Sequence, residues 1–392
     1  MKIKKIFFIS LSVFVFSSLI SCSDSPSDVG SDLLGIDFIN VKKLDSSVDS
    51  ISQSSNSFKK VIALGTSARL LLGKKDGFTA YTLISFTFTL PDSIKRAIKN
   101  DSLEVLDAKG EMNIDYFFGN KNAPFDFSIF EIESFWNSAS FTADSFSSLN
   151  YSQIDLSSNK TGNDSVFYFN IDNNIVKNWL KNEVDTSLAR NRGVLMSPKP
   201  QTDKIIGFVA FDPATSTDTK INVIVRKPGA YVDTLLAYVL SDVSVITGEN
   251  QLDSNYITIQ SSVTYQGFLS FDISLLTKGS IVNFAQLTLS LDTLKSKFGN
   301  KVVDELRAYI ITSSDSLKIN ESNFYTLRRV GDKYRGDISG IVRYWTSNNP
   351  NYGILLKAGN EILGLEKFMI KSSSYPVFSE RPKLEIIYTK RN

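Results

Sequence analysis

A serine and a lysine three residues apart in Ser57-Phe58-Lys59-Lys60 have the Ser-x-x-Lys spacing of serine acyl-transfer chemistry, and Lys160-Thr161-Gly162 has the form of its Lys-Thr-Gly companion. That chemistry needs the serine at the start of a buried helix beside its lysine. Ser57 instead lies in a serine-rich stretch, and the Ser-x-Asn element is missing, because Tyr168-Phe169-Asn170 follows Lys-Thr-Gly. Histidine is absent altogether, which excludes Ser-His-Asp hydrolysis and histidine-ligated metal chemistry. Paired carboxylates remain open as sugar-cleaving groups, but spacing singles out no pair. Asp172 and Asp337 precede short apolar-periodic segments, where an aspartate accepts hydrogen bonds from the unpaired N–H groups of a helix start. No catalytic residue, cofactor or metal ligand is therefore expected. For binding, the aromatic residues Trp136, Tyr265 and Tyr352 fall in expected loops, where a ring can cover the C–H face of a pyranose.

The elements that must position these residues read as strands. Ile84, Phe86, Phe88 and Leu90 alternate with Ser85, Thr87 and Thr89; Ala285, Leu287, Leu289 and Leu291 alternate with Gln286, Thr288 and Ser290; Ile221, Val223 and Val225 follow the same period of two. Long amphipathic helices are lacking. The chain of 392 residues is 42% hydrophobic and contains 28 phenylalanines but one cysteine, so its stability must come from apolar burial and not from disulfides.

That one cysteine is Cys22. Ahead of it stand a cationic start (Lys2, Lys4, Lys5) and an apolar run from Ile6 to Ile20, too short to span a bilayer comfortably. Leu19-Ile20-Ser21-Cys22 resembles the lipobox of bacterial lipoproteins, which implies that residues 1–21 are a cleaved export signal and that Cys22 carries the lipid. The following segment, Cys22-Ser23-Asp24-Ser25-Pro26-Ser27-Asp28-Val29-Gly30-Ser31-Asp32-Leu33-Leu34, is similar to the leaders of envelope lipoproteins of unknown function. Residues 22–35 are expected to be a lipidated tether, and the protein to be held in the cell envelope, at the outer membrane. Without the three signal lysines, the 43 basic residues fall to 40 against 41 acidic ones, a balance that argues against a nucleic-acid partner.

The strand pattern then occurs twice. Thr82-Leu83-Ile84-Ser85-Phe86 corresponds to Gly267-Phe268-Leu269-Ser270-Phe271, and the stretch at Asp107-Ala108-Lys109 to that at Asn283-Phe284-Ala285. Phe169 to Trp179 matches Tyr334 to Trp345 with a one-residue shift, and Asn191-Arg192-Gly193 pairs with Asn351-Tyr352-Gly353. Trp179 and Trp345 each fall on the apolar face of a short helix. The expected organisation is all-β: two tandem antiparallel β-sandwich, jelly-roll-like domains, each with one short helix. The first spans 36–230 and the second 250–392, with 231–249 either a linker or the first strand of the second domain.

The second copy, from Gly267-Phe268-Leu269-Ser270-Phe271-Asp272-Ile273 through Trp345 and Asn351-Tyr352-Gly353-Ile354-Leu355-Leu356 to Arg381-Pro382-Lys383-Leu384, resembles the secreted DNRLRE-type β-sandwich domains. In the first copy the Phe135-Trp136-Asn137 turn is typical of the same domains. They are related to carbohydrate-binding modules, so the resemblance implies a membrane-anchored, non-catalytic carbohydrate-binding or adhesive module. The alternatives are an assembly partner of another envelope protein with no sugar site and, third, a carboxylate-based glycosidase or polysaccharide lyase.

Overall fold

The computed structural model describes residues 41–390 except 189, 211–218, 278 and 316. The expected signal, the lipid site Cys22 and the tether lie outside the described residues.

Two strands come first, β1 (Val41–Asp45) and β2 (Gln53–Lys59). The first body follows, with β3 (Arg69–Lys75), β4 (Phe78–Phe88), α1 (Asp92–Lys99), β5 (Glu104–Phe118), β6 (Phe127–Glu131), α2 (Ala143–Phe146), β7 (Ser157–Gly162), β8 (Val166–Ile171), α3 (Asn173–Val184), β9 (Val194–Pro198), β10 (Ile205–Val209), β11 (Lys220–Lys227) and β12 (Tyr231–Thr247). The second body has β13 (Tyr256–Gln260), β14 (Tyr265–Phe271), β15 (Ile281–Ser290), β16 (Glu305–Ile310), β17 (Phe324–Val330), β18 (Lys333–Asp337), α4 (Ser339–Thr346), β19 (Ile354–Ala358), β20 (Lys367–Lys371) and β21 (Lys383–Thr389).

The fold is all-β and sandwich-like, built on two large antiparallel sheets. Each sheet folds back around its own core. In the first body β10 pairs with both β3 and β5, which closes β10-β3-β4-β12-β11-β5 into a ring. In the second, a bridge between Leu291 and Ile370 brings the end of β15 back to β20. The alternating residues fill these cores as their period requires: Ile84, Phe86 and Phe88 with Ile221, Val223 and Val225 in the first, Ala285, Leu287, Leu289 and Leu291 in the second.

The helices expected before Trp179 and Trp345 are α3 and α4, and both indoles are buried. Asp172 caps α3 by accepting from the N–H of Asn174 and Ile175, while Asp337 accepts the N–H of Ser339, one position further from its helix. The expectation of one helix per domain holds for the second body only, since the first also carries α1 and the single turn α2. The correspondence of Ala108 with Phe284 is one residue out: Ala108 faces Val223 inside the first core, and it is Ala285, facing Ile386, that is equally buried. A bulge between Val282 and Phe284 turns Phe284 outward and hides this shift from the sequence.

The expected boundaries also change. Residues 231–247 form neither a linker nor a strand of the second body: β12 pairs with β11 and with β4. Residues 41–59, expected in the first domain, pair instead with the second body, β1 along β21 and β2 along β14. The two strands occupy equivalent slots. Ser244 in β12 lies opposite Thr82, and its Oγ accepts the N–H of Leu71 on β3 at 2.7 Å; Ser57 in β2 lies opposite Gly267, and its Oγ accepts the N–H of Thr258 on β13 at 2.7 Å. Each repeat therefore surrenders its leading strand to the other body. The cause is the turn at Pro228, Gly229 (φ +71°) and Ala230, which sets Lys227 opposite Tyr231. Three residues span at most about 10 Å, so β12 must fold back beside β11, and the slot left in the second body is filled from the chain's N-terminal side.

A third apolar core lies between the bodies, with Leu71, Leu83, Tyr116, Val243 and Val245 from the first and Val263, Tyr265 and Leu365 from the second. Polar bonds cross with it. Tyr116 Oη accepts the N–H of Leu365 at 3.1 Å, Arg69 donates to the Leu363 carbonyl, and Phe117 and Asn300 exchange two bonds of 2.8 and 3.0 Å.

Candidate functional site

The Ser-x-x-Lys and Lys-Thr-Gly elements, discounted in the sequence, lie on different sheets. Ser57 is a strand residue whose hydroxyl accepts the Thr258 N–H, whereas Lys160 belongs to β7 of the other sheet, where Asp126 holds it at 2.7 Å. Among the described residues no group of three or more Cys, Asp or Glu side chains is placed to hold a metal ion.

The three aromatic candidates are not brought together. Tyr265 is in β14, 5% exposed within the core between the bodies, and its Oη accepts the N–H of Asn250 at 3.1 Å; burial removes it as a sugar platform. Tyr352 is half-buried against a small cluster of Tyr309, Ile311 and Leu355 with Phe58, Phe268, Leu317 and Ile319. Trp136 is half-buried but borders a hollow.

That hollow lies on the first body where three pieces of chain meet. The first is the loop after β6, in which Asn137 Oδ1 accepts the Ala139 N–H and the Asn137 carbonyl takes those of Ser140 and Phe141. This turn leaves Phe135 72% exposed beside Trp136, whose indole N–H donates to the Arg192 carbonyl at 2.8 Å and whose ring meets Phe141 edge-on. The second is the turn into β9: Asn191 donates to the Phe86 carbonyl and accepts the N–H of Gly193, which holds φ +84°. Arg190 and Arg192 flank that asparagine.

The third piece is a bulge in β12 at Leu240, between Val239 opposite Phe86 and Ser241 opposite Ser85. The extra residue reverses which face the odd-numbered side chains use: Leu235, Ala237 and Val239 enter the inner core, Val243 and Val245 the core between the bodies. Leu240 is left 69% exposed. Ser241 Oγ donates to Ser138 Oγ at 2.9 Å and ties the bulge to the aromatic loop.

Phe135, Trp136, Arg190, Arg192, Leu240 and Ser241 together line a hollow of about 210 Å³. Across Leu240 and Ser241 it continues into a second of about 290 Å³, walled by Thr66, Ser67, Ser138 and Asp242. The first is smaller than the ~300–1,000 Å³ pockets that engulf a drug-sized ligand. It suits a ring laid on an apolar floor with polar groups at its edge. Among the described residues neither Arg190 nor Arg192 forms an ion pair.

Sequence reasoning found Trp136 and missed the rest of the wall. Arg190 and Arg192 had a usable signal, flanking the asparagine of a repeated Asn-x-Gly landmark; Leu240 had none, because a bulge leaves no mark in a strand that stays apolar on both sides. Neither a protein-family model nor a curated protein matches the chain.

Proposed function

We propose that this chain is a membrane-anchored, non-catalytic lipoprotein of the cell envelope, lipidated at Cys22 and held at the outer membrane, whose first body binds carbohydrate at the Trp136 trough. The observation that carries the binding claim is the pairing of an open apolar floor with fixed polar walls. Phe135 and Leu240 offer exposed apolar surface, Trp136 is locked by its indole hydrogen bond, and hydroxyl and guanidinium groups border them. Sugars present C–H faces to rings and hydroxyls to such edges, and a preorganised floor spares the entropy of ordering it on binding. The resemblance of the second repeat, and of the Phe135-Trp136-Asn137 turn, to DNRLRE-type domains, which are related to carbohydrate-binding modules, points the same way.

The test is binding of the full-length chain, kept in detergent, to an array of glycans, beside Phe135→Ala and Trp136→Ala. Phe135 is mostly exposed, so its variant should keep the unfolding temperature while affinity falls about tenfold. Binding to no glycan, or undiminished binding by both variants, would overturn the assignment. Release of sugar product from a bound polysaccharide would overturn the non-catalytic part.

A further inference from the structure

We infer that the trough selects an anionic saccharide, a pyranose bearing a carboxylate or sulfate, with its charged group on Arg190 and Arg192 and its ring on Phe135 and Trp136; this rests on the carbohydrate reading above. The residues that line the first hollow include two arginines and no acidic residue. Arg69, Arg226 and Arg329 are paired with Asp115, Glu104 and Asp304; what sets Arg190 and Arg192 apart is that both line a hollow whose floor is aromatic. A guanidinium presents a planar fork of donors that matches a carboxylate or sulfate, and such charge-assisted bonds are about twice as strong as neutral ones. The backbone of Arg192 is pinned by the Trp136 indole and its neighbour Asn191 is bonded to Phe86, so the guanidiniums spring from a fixed turn.

The second hollow sets the length of the ligand. The hydroxyl-bearing Thr66 and Ser138 on its wall suit the hydroxyls of a neighbouring sugar, and it shares Leu240 and Ser241 with the first. The fit is to an oligosaccharide of two or more units with one acidic unit over the aromatic floor.

The deciding measurement is calorimetric titration of the full-length chain in detergent with tetragalacturonate, its uncharged methyl ester and a sulfated galactose oligomer. The acid should bind about tenfold more tightly than the ester and weaken as salt rises. The double variant Arg190→Ala, Arg192→Ala should erase that preference, whereas Phe135→Ala should weaken acid and ester alike. Preference for the sulfated oligomer over the uronate sustains the anionic reading and assigns it to sulfate. Equal binding of acid and ester overturns this inference and leaves the carbohydrate reading standing; binding of no saccharide overturns both.

Discussion

At the turn into the returning strand, the two repeats share one frame and carry different surfaces on it. Asn191 and Asn351 each donate to the carbonyl of an equivalent phenylalanine, Phe86 or Phe271, and each accepts the N–H of the glycine two residues on, Gly193 at φ +84° or Gly353 at φ +92°. Between asparagine and glycine the first repeat has Arg192 and the second Tyr352. The first also has a bulge at Leu240 and the Phe135-Trp136 loop, which leave a hollow open; in the second, β2 runs past without a bulge, and Tyr352, like Leu317 and Ile319, packs against the Tyr309 cluster. A hydrogen-bonded turn buried at a sheet corner tolerates little change, whereas the loops laid over it can open or close a site without disturbing the ladder. The same fold unit thus holds an open hollow in one copy and a packed surface in the other.

The largest effect is expected where the copies depend on each other. Deleting residues 41–59 removes Leu44 and Ile51 from the second core, at about 2–5 kcal/mol each, and takes one paired strand from each of β14 and β21. Hydrogen exchange should show protection lost first across 256–389, with a fall in unfolding temperature above about 10 °C; loss confined to 69–247 would show that the strands are not exchanged. Next come the glycines. An added Cβ would stand 2.2 Å from the Ile84 carbonyl oxygen at Gly193, but 2.9 Å from the equivalent Leu269 carbonyl oxygen and 2.8 Å from the Phe268 ring at Gly353. Both alanine variants pay about 1–3 kcal/mol for the left-handed backbone, and Gly193→Ala should cost more, because its strand carbonyl stands closer and must move further. Urea midpoints that rank them the other way would break the equivalence of frame and unequal cover. Ser57→Ala and Ser244→Ala should each lose about 1–2 kcal/mol, by orphaning the N–H of Thr258 or Leu71; a clear inequality between them in the same assay would deny that β2 and β12 fill matching slots.

Much of the frame was legible before any coordinates. Period-two alternation identified the strands and the inward faces of β4, β11 and β15, because those residues meet one core throughout. The repeat found Asn191 with Asn351 and Trp179 with Trp345, whose roles are local. Which body a strand joins was not legible from its own pattern, since a half-buried strand presents the same alternation to either partner. Pro228-Gly229 held the missing information: a tight turn between two apolar alternations marks a hairpin and binds β12 to β11. Tyr265 was misjudged because a tyrosine in a polar stretch looks exposed until the second body covers it. The trough is drawn from three distant segments: Trp136 was read from its turn, Arg190 and Arg192 lay beside a repeated landmark, and Leu240 carried no signal.

The smallest expected effect concerns a reversal of charge between the copies. Glu366 precedes β20 as Lys204 precedes β10, and Glu366 meets Tyr116 and Arg69 of the first body. Burial pushes the Glu366 carboxyl above its ordinary 4.5 and pushes the Lys204 ammonium below its ordinary 10.5. Tyr116, hydrogen-bonded to Glu366, and the charge of Arg69 offset part of the cost, yet one carboxylate oxygen has no partner among the described residues. Because the folded state binds this proton more tightly than the unfolded chain does, Glu366 favours folding at acid pH, and that contribution is lost as pH rises from about 4.5 through its folded value. Asp115 at the same junction acts oppositely: burial opposes its charge, but Lys301 and Arg69 outweigh burial and hold its pKa below the carboxylate range, so its stabilisation is lost as pH falls. Glu366→Gln should therefore raise the unfolding temperature at pH 8, by about 2–4 °C for each kcal/mol relieved, with little change at pH 4. Calorimetric scans at the two pH values check this. An equal shift at both would place the effect in packing, and a lower unfolding temperature at pH 8 would mean that the charged carboxylate holds the two bodies together.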